Sequence, residues 1–385
     1  MNDVQLVATS AFGLESIVAN ELKNLGYEDL QLENGRVSFT ADQQAIARCN
    51  LWLRSADRLL IKVGEFPAQT FDELFEQTRA LPWNSWLPEN ANFPVQGKSI
   101  KSRLFSVSDC QAIVKKAVVE SLKARHHRTW FTEDGPRYKI EVSLLNDIAT
   151  LTLDTSGSGL HKRGYRQLTH AAPLKETLAA AMVQISRWKP DRAFIDPLCG
   201  SGTIALEAAL IGRNMAPGLL RKFDAEEWTV IPLNLWHKAR QEARDLARPE
   251  QPLGILGFDR DSEAVSMARY HARQAGIGSG ISFQRQEINA LQSRYQYGYL
   301  ITNPPYGERL LTREELRFLY QDITRTFTRL DTWSFYVLSA DMDLEKWLKR
   351  KADKRRKLYN GRILCNFYQF YGPRPLDLAG PFAAR

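Results

Sequence analysis

Apolar positions repeat along this chain with two different periods, and the pattern changes character near residue 166. The stretch VQLVATS predicts a strand, and the following FGLESIVANELKNLGY spaces Leu14, Ile17, Val18 and Leu22 along one face of a helix. Gly26 supplies a stop. Residues 29–40 predict a hairpin around Asn34-Gly35, a pair that tolerates positive φ. A helix over about 43–55 and the strand RLLIKVGEF complete a β-α-β-β-α-β order, the split, ferredoxin-like arrangement.

A second unit follows. TFDELFEQTRAL is amphipathic, and PWNSWLPENANFP interrupts the pattern with three prolines. Residues 93–107 predict a strand carrying lysines and an arginine. Ser108 or Asp109 is then placed to cap the long helix CQAIVKKAVVESLKARHH. The alternating KIEVSLL and IATLTLD, separated by Asn146-Asp147, predict another hairpin. SGSGLHKRGYR reads as a hinge.

Beyond residue 166 strands and helices alternate. APLKETLAAAMVQISRW predicts a helix, RAFIDPLCGSGTIALEAALIG a buried strand, glycine loop and helix, and GILGFDRDSEAVSMARYHARQAG repeats the motif. YLITNPPYGERL and WSFYVLSA supply two further apolar strands, and RKLYNGRILCNFYQFYG a closing hairpin. Such alternation implies an α/β, doubly wound, Rossmann-like parallel sheet, here preceded by an α+β region. The segment between about 213 and 253, with FDAEEW and NLWHKARQEARDLAR, predicts either a substrate-contacting insertion or a covering helix.

Composition narrows the class. At 385 residues, 44% hydrophobic and 25% charged, the sequence is that of a globular protein of two or three domains. No apolar run reaches the roughly 20 residues a membrane span needs. MNDVQLVATS has no signal-peptide pattern, so a cytoplasmic location is expected. Cys49, Cys110, Cys199 and Cys365 are scattered and the histidines show no ligand spacing, so neither disulfides nor a metal is expected. A net charge of +8 suits a polyanionic partner, though basic proteins often have none. The basic residues of the front half are Lys98, Lys101, Arg103, Lys115, Lys116, Lys123, Arg125 and Arg128. Lys354, Arg355, Arg356 and Lys357 form the densest run. A solvated surface is the alternative for any single one of them.

Two loops carry candidate chemistry. The first, Asp196-Pro-Leu-Cys-Gly-Ser-Gly-Thr203, sits between a strand and a helix, where ligands bind in open α/β sheets. Gly200 and Gly202 let backbone approach a ligand. A dinucleotide fingerprint would need a third glycine where Ala205 stands, and an acid roughly 20 residues on. The next strand-end acid, Asp259, lies much farther along, which disfavours NAD; a carboxylate there can still hydrogen-bond both ribose hydroxyls of a nucleoside, with capping of the next helix as the alternative. Asp261 is placed to cap the next helix.

The second loop is Asn303-Pro-Pro-Tyr306, directly after an apolar strand. Its prolines hold a rigid extended turn. The Asn303 side-chain carbonyl and the Pro304 backbone carbonyl each suit one hydrogen of an aromatic amine, whose lone pair they would turn towards an incoming methyl. Tyr306 suits stacking on a base taken out of its helix. Cys199 and Cys365 read as packing residues rather than the nucleophile of a cytosine-C5 enzyme.

Together these loops resemble the amino-methyltransferase branch of the class I S-adenosylmethionine-dependent fold. By position, Asp196, Pro197, Cys199, Gly200, Gly202 and Thr203 match its first cofactor loop, Asp259 its ribose acid, and Glu287, after ISF, its residue near adenine. Thr177 in APLKETLAAA matches the element at the methionine end. With the front half and the junction LHKRGYR, nearly the whole sequence is similar to the RlmL family of bacterial 23S rRNA guanine-N2 methyltransferases in single-methyltransferase form. Some relatives carry a second, fused methyltransferase.

That resemblance implies a ferredoxin-like region over 1–65, an RNA-binding THUMP domain over 45–155 with an overlapping boundary, a linker at 156–165 and a methyltransferase domain over 166–385. It implies S-adenosyl-L-methionine as cofactor and guanine N2 of 23S rRNA, or of a large-subunit assembly intermediate, as target. A tRNA guanine-N2 enzyme, a DNA adenine-N6 enzyme and a non-catalytic assembly factor are the competing expectations.

Overall fold

The computed structural model describes residues 3–127, 130–168, 174–305 and 312–374. Within them the chain forms two compact units. The first takes residues up to Ser10, Ala19–Leu160 and Arg221–Glu242. The second takes Ala11–Val18, His161–Leu220 and the chain from Ala243.

The first unit is built on one seven-stranded sheet. Its elements are β1 (Val4–Thr9), α1 (Glu15–Asn24, whose first turn belongs to the second unit), β2 (Gln31–Glu33), β3 (Arg36–Ala41), α2 (Gln44–Trp52) and β4 (Arg58–Pro67). There follow α3 (Phe71–Arg79), β5 (Val95–Ile100), α4 (Val107–His126), β6 (Ile140–Leu145) and β7 (Ile148–Asp154). Strand order is β2-β3-β1-β4-β7-β6-β5. The first four strands pair antiparallel, as the split βαβ pattern requires. β4 then pairs along β7, from Leu60↔Asp154 to Pro67↔Ile148. One ten-residue strand thus serves both halves of the region, which is why its internal boundary is blurred in the sequence.

Local chemistry accounts for the connections. Asn146 and Asp147 take φ of 50° and 63°, the left-handed pair a tight hairpin uses. α3 begins with a capping box between Thr70 and Glu73. Two expectations need correction. β5 is shorter than the 93–107 stretch, because Lys101 turns the chain at φ 52°. α4 starts earlier than expected, at Val107 after Ser106. Asp109 therefore falls inside the first turn, where its charge faces the unpaired N–H groups.

Residues 221–242 fold with this unit and act as a cover. The Trp228 ring stacks on Tyr138 at 4.4 Å, and its indole N–H donates to the Arg137 carbonyl at 2.8 Å. Phe223 stacks on Trp236, and Arg221 donates to the Ser156, Ser158 and Gly159 carbonyls.

The second unit contains α5 (Glu176–Ser186), β8 (Phe194–Asp196), α6 (Thr203–Gly212), the end of α7 (Leu233–Asp245), β9 (Ile255–Asp259), α8 (Ser262–Gln274) and β10 (Ile281–Arg285). It continues through β11 (Tyr299–Thr302), α9 (Arg313–Arg329), β12 (Ser334–Ser339), α10 (Leu344–Trp347), β13 (Lys354–Asn360) and β14 (Ile363–Phe370). The order is β10-β9-β8-β11-β12-β14-β13, parallel through β12, with the closing hairpin antiparallel at the end.

Successive residues of these strands enter different cores. Phe194, Ile301 and Leu338 join one hydrophobic cluster with Ile204, Ala205 and Ala208 of α6. Ile195, Leu300 and Val337 join another with Tyr320, Ile323 and Phe327 of α9. Both faces of the sheet are covered, so its strands read as unbroken apolar runs.

The expected linker ends earlier than 165. Arg163 is 2% exposed and pairs with the fully buried Glu207, which also accepts from the Tyr165 hydroxyl at 3.1 Å.

Candidate active site

The connection order reverses between β8 and β11, the place where open α/β sheets bind ligands in a crevice beyond the carboxyl ends of the strands. Both sequence motifs leave the sheet at this place. β8 ends on Asp196, and the loop that follows is held by backbone and carboxylate bonds. The Cys199 N–H donates to the Phe258 carbonyl at 2.8 Å, and the Gly200 N–H to Asp259 Oδ2 at 2.8 Å. The other oxygen of Asp259 accepts from the Asp261 N–H at 3.0 Å. One carboxylate at the end of β9 therefore ties the glycine loop to the start of α8. Asp261 itself caps α8, accepting from the Glu263 N–H at 2.8 Å.

The two glycines do different work. Gly202 precedes α6 at φ 85°, and a Cβ there would lie 2.8 Å from Cζ of Phe283 and 3.0 Å from Ala268 Cβ. It is required by packing as much as by backbone conformation. Gly200, at φ 50°, would meet nothing within 4 Å. Its bare face opens into free space, which is the cradle a ligand's backbone approach needs.

Electrostatics centre on Asp196. It is 1% exposed and accepts from the Thr302 hydroxyl at 2.9 Å and the Leu198 N–H at 3.3 Å. Burial pushes its carboxyl up to about 7, with the nearby Asp259 adding to the effect. Cys199 is buried beside it, and burial drives that thiol well above its ordinary value. A thiol held so firmly protonated is a packing group, not a nucleophile.

At the other side of the crevice, Asn303 directly follows β11. Its Oδ1 is buried and has no hydrogen-bond partner. An unpaired buried acceptor costs about 1–3 kcal/mol unless a partner fills it. Pro304 behind it is buried. Tyr306 lies outside the described residues.

Residues 163–369 match the RMKL-like methyltransferase domain. The chain belongs to that family. Its front half matches the RlmL ferredoxin-like domain over residues 5–60 and the THUMP domain over 68–154. A Bacillus subtilis (strain 168) protein, YpsC, provisionally named an RNA methyltransferase, is 50% identical over 373 residues, covering 96% of this chain and 97% of its own. A Listeria monocytogenes (str. 4b F2365) structure, described from prediction as an N6-adenine-specific DNA methylase, shares 52% identity and superposes with a TM-score of 0.93 over 97% of both chains. SMU.472, solved with SAH and described provisionally as a methyltransferase, shares 47% identity at a TM-score of 0.93, covering 97% of this chain and 100% of its own.

The family uses S-adenosyl-L-methionine, and the crevice fits it. The open face of Gly200 leaves room for the cofactor along the loop, and the buried carboxylate of Asp196 suits an ammonium group. Pro197 and Thr203 are buried on either side of that loop. Thr177 is buried in the first turn of α5. Glu287 is exposed just past β10, one residue beyond the bond from the Gln286 N–H to the Asp259 carbonyl at 2.9 Å. That places it next to the Asp259 end of β9.

The basic residues fare unevenly. Lys101, Arg103, Lys116, Lys354 and Arg355 are exposed, the last beside Glu345. Lys98 is more than half exposed while paired with Glu141 at 2.7 Å. Lys115 is committed elsewhere: its ammonium bonds the Phe93 carbonyl and Glu133 and stands 3.5 Å from the Phe93 ring. Arg356 is likewise spent, donating to the Gly13 carbonyl at 3.0 Å and the Ser16 hydroxyl at 2.7 Å. Arg128 and the side chain of Arg125 lie outside the described residues.

Several site-building groups escape a reading of the sequence. Arg166 donates to the Thr203 hydroxyl and to the Leu174 carbonyl at 3.1 Å, and its Nε stands 3.4 Å from Glu176. His271, fully buried on α8, has Nδ1 3.2 Å from the Ser201 carbonyl. These brace the glycine loop from behind. No motif announces them, because each depends on residues brought together only by folding.

Proposed function

We propose that this protein transfers a methyl group from S-adenosyl-L-methionine to the exocyclic N2 of a guanine in RNA, with 23S rRNA or a large-subunit assembly intermediate as substrate. The observation that carries the reading is the buried, unpartnered Oδ1 of Asn303, one residue past the strand beside Asp196. The THUMP domain, the exposed basic residues and the RNA methyltransferase name given to the Bacillus subtilis relative support RNA as the polymer.

When bound, the cofactor supplies an electrophilic methyl on a sulfonium. Asn303 Oδ1 accepts one hydrogen of the guanine amine and the Pro304 carbonyl accepts the other, which turns the nitrogen lone pair along the attack line. Both acceptors also stabilise the positive charge that grows on nitrogen as the new N–C bond forms and the S–C bond breaks. Tyr306 stacks on the flipped base. The extra proton on nitrogen leaves to solvent. Asp196 meets the cofactor's ammonium, Asp259 its ribose, Glu287 its adenine edge and Thr177 its methionine end.

Asn303→Ala tests the reading. Loss of one charge-stabilising acceptor lowers kcat by about 100- to 1000-fold, while SAH affinity stays within about threefold. Full turnover by this variant overturns the assignment.

A further inference from the structure

We propose that Thr302 is a positioning residue that joins the two ends of the reaction site, holding Asn303 in register with Asp196 through one buried hydrogen bond. The substrate half of this inference rests on Asn303 as the amine acceptor, and the cofactor half on Asp196 as the contact for the cofactor's ammonium group.

β8 and β11 are parallel neighbours, paired at Phe194↔Tyr299 and Ile195↔Leu300. β8 ends at Asp196 and β11 at Thr302, so their carboxyl ends lie side by side. Here the Thr302 hydroxyl donates to Asp196 Oδ1 at 2.9 Å. Both residues are 1% exposed, so water does not compete for the bond. The only other donor recorded on that carboxylate among the described residues is the Leu198 N–H at 3.3 Å.

Thr302 is also the last residue before the Asn303-Pro304-Pro305 turn. Proline at 304 restricts the backbone of Asn303, and proline at 305 that of Pro304. A stiff turn passes any displacement at its root on to the next side chain. The torsions of Thr302 therefore set where Asn303 Oδ1 points, and the bond to Asp196 sets Thr302. Valine has almost the same shape and strand preference, so the fold does not demand a hydroxyl at this position.

Among the described residues, the charged and titratable groups facing Asp196 are Asp259 at the end of β9 and the Cys199 thiol in the loop. Asp259 favours the protonated form of Asp196, as burial does. The Thr302 hydroxyl and the Leu198 N–H work in the opposite direction, keeping the carboxylate available to a cationic cofactor group. Thr302 thus acts on both sides of the crevice, on the charge of one group and on the aim of another.

The test compares Thr302→Val and Thr302→Ser with wild type. SAH affinity is followed by calorimetry from about pH 5.5 to 9, and kcat and KM are measured with RNA. Thr302→Val moves the midpoint of the pH dependence of SAH binding upward by about one pH unit and lowers kcat about tenfold or more, with KM for RNA nearly unchanged. Thr302→Ser restores both towards wild type. A valine variant with the wild-type midpoint and kcat overturns the proposal, and so does a serine variant that behaves like valine. Should Asn303→Ala retain turnover, the amine-acceptor reading fails, while the shift in SAH midpoint still decides the Asp196 half.

Discussion

Replacing Asp196 by asparagine removes a buried charge while keeping the shape of the side chain. The Asn oxygen can still accept from Thr302 and Leu198, so the local bonds survive. What changes is ionisation. In the folded protein the carboxyl is raised from 3.8 to about 7, chiefly by burial. The native state therefore holds a proton that the unfolded chain has released, and stability falls as pH rises from about 4 to about 7. At 1.36 kcal/mol per pH unit the full loss is about 4 kcal/mol above that window, and roughly 1.5 kcal/mol of it is already present at pH 5. Asp196→Asn is then more stable than wild type at pH 8, and its advantage exceeds that at pH 5 by about 3 kcal/mol. Urea midpoints for both proteins at the two pH values measure this directly, and SAH calorimetry shows affinity lost in the same variant. An advantage equal at pH 5 and pH 8 refutes the reasoning, because the carboxyl would not then be titrating between those values.

Two further perturbations probe the frame around the site. Gly202→Ala forces a left-handed alanine whose Cβ meets the Phe283 ring at 2.8 Å, so SAH affinity measured by calorimetry falls about 30-fold or more; unchanged affinity contradicts the loop's assigned role. Trp228→Ala removes the stack on Tyr138 and the bond to the Arg137 carbonyl, and destabilises the first unit by about 3–5 kcal/mol in urea unfolding. A loss below about 1 kcal/mol would mean that residues 221–242 are a dispensable cover.

Legibility in the sequence followed the range of the interactions. The alternating strands and helices of the second unit, and the loops around Asp196 and Asn303, are visible because each is a continuous run with its own period or turn chemistry. The split βαβ order of the first unit is visible for the same reason. Residues whose partners lie far along the chain are not. Glu207 lies in an apolar helix, and only folding shows that it answers Arg163 and Tyr165. Thr302 reads as one more strand residue until Asp196 is beside it. Lys115 and Arg356 stand in basic runs that suggest phosphate contact, yet each has carbonyl or hydroxyl partners within its own unit. Residues 221–242 look like part of the second half because chain order says so, but their aromatic rings pack in the first unit.

Methylation of guanine N2 in RNA is read out by supplying labelled S-adenosylmethionine with total RNA and with DNA, fractionating the polymers and identifying the labelled nucleoside. N2-methylguanosine is expected in 23S rRNA, formed about 100- to 1000-fold more slowly by Asn303→Ala. Label in tRNA as N2-methylguanosine would keep the chemistry and move the substrate. Label in DNA as N6-methyladenine, or in no polymer at all, would rule out RNA guanine-N2 methylation by this protein.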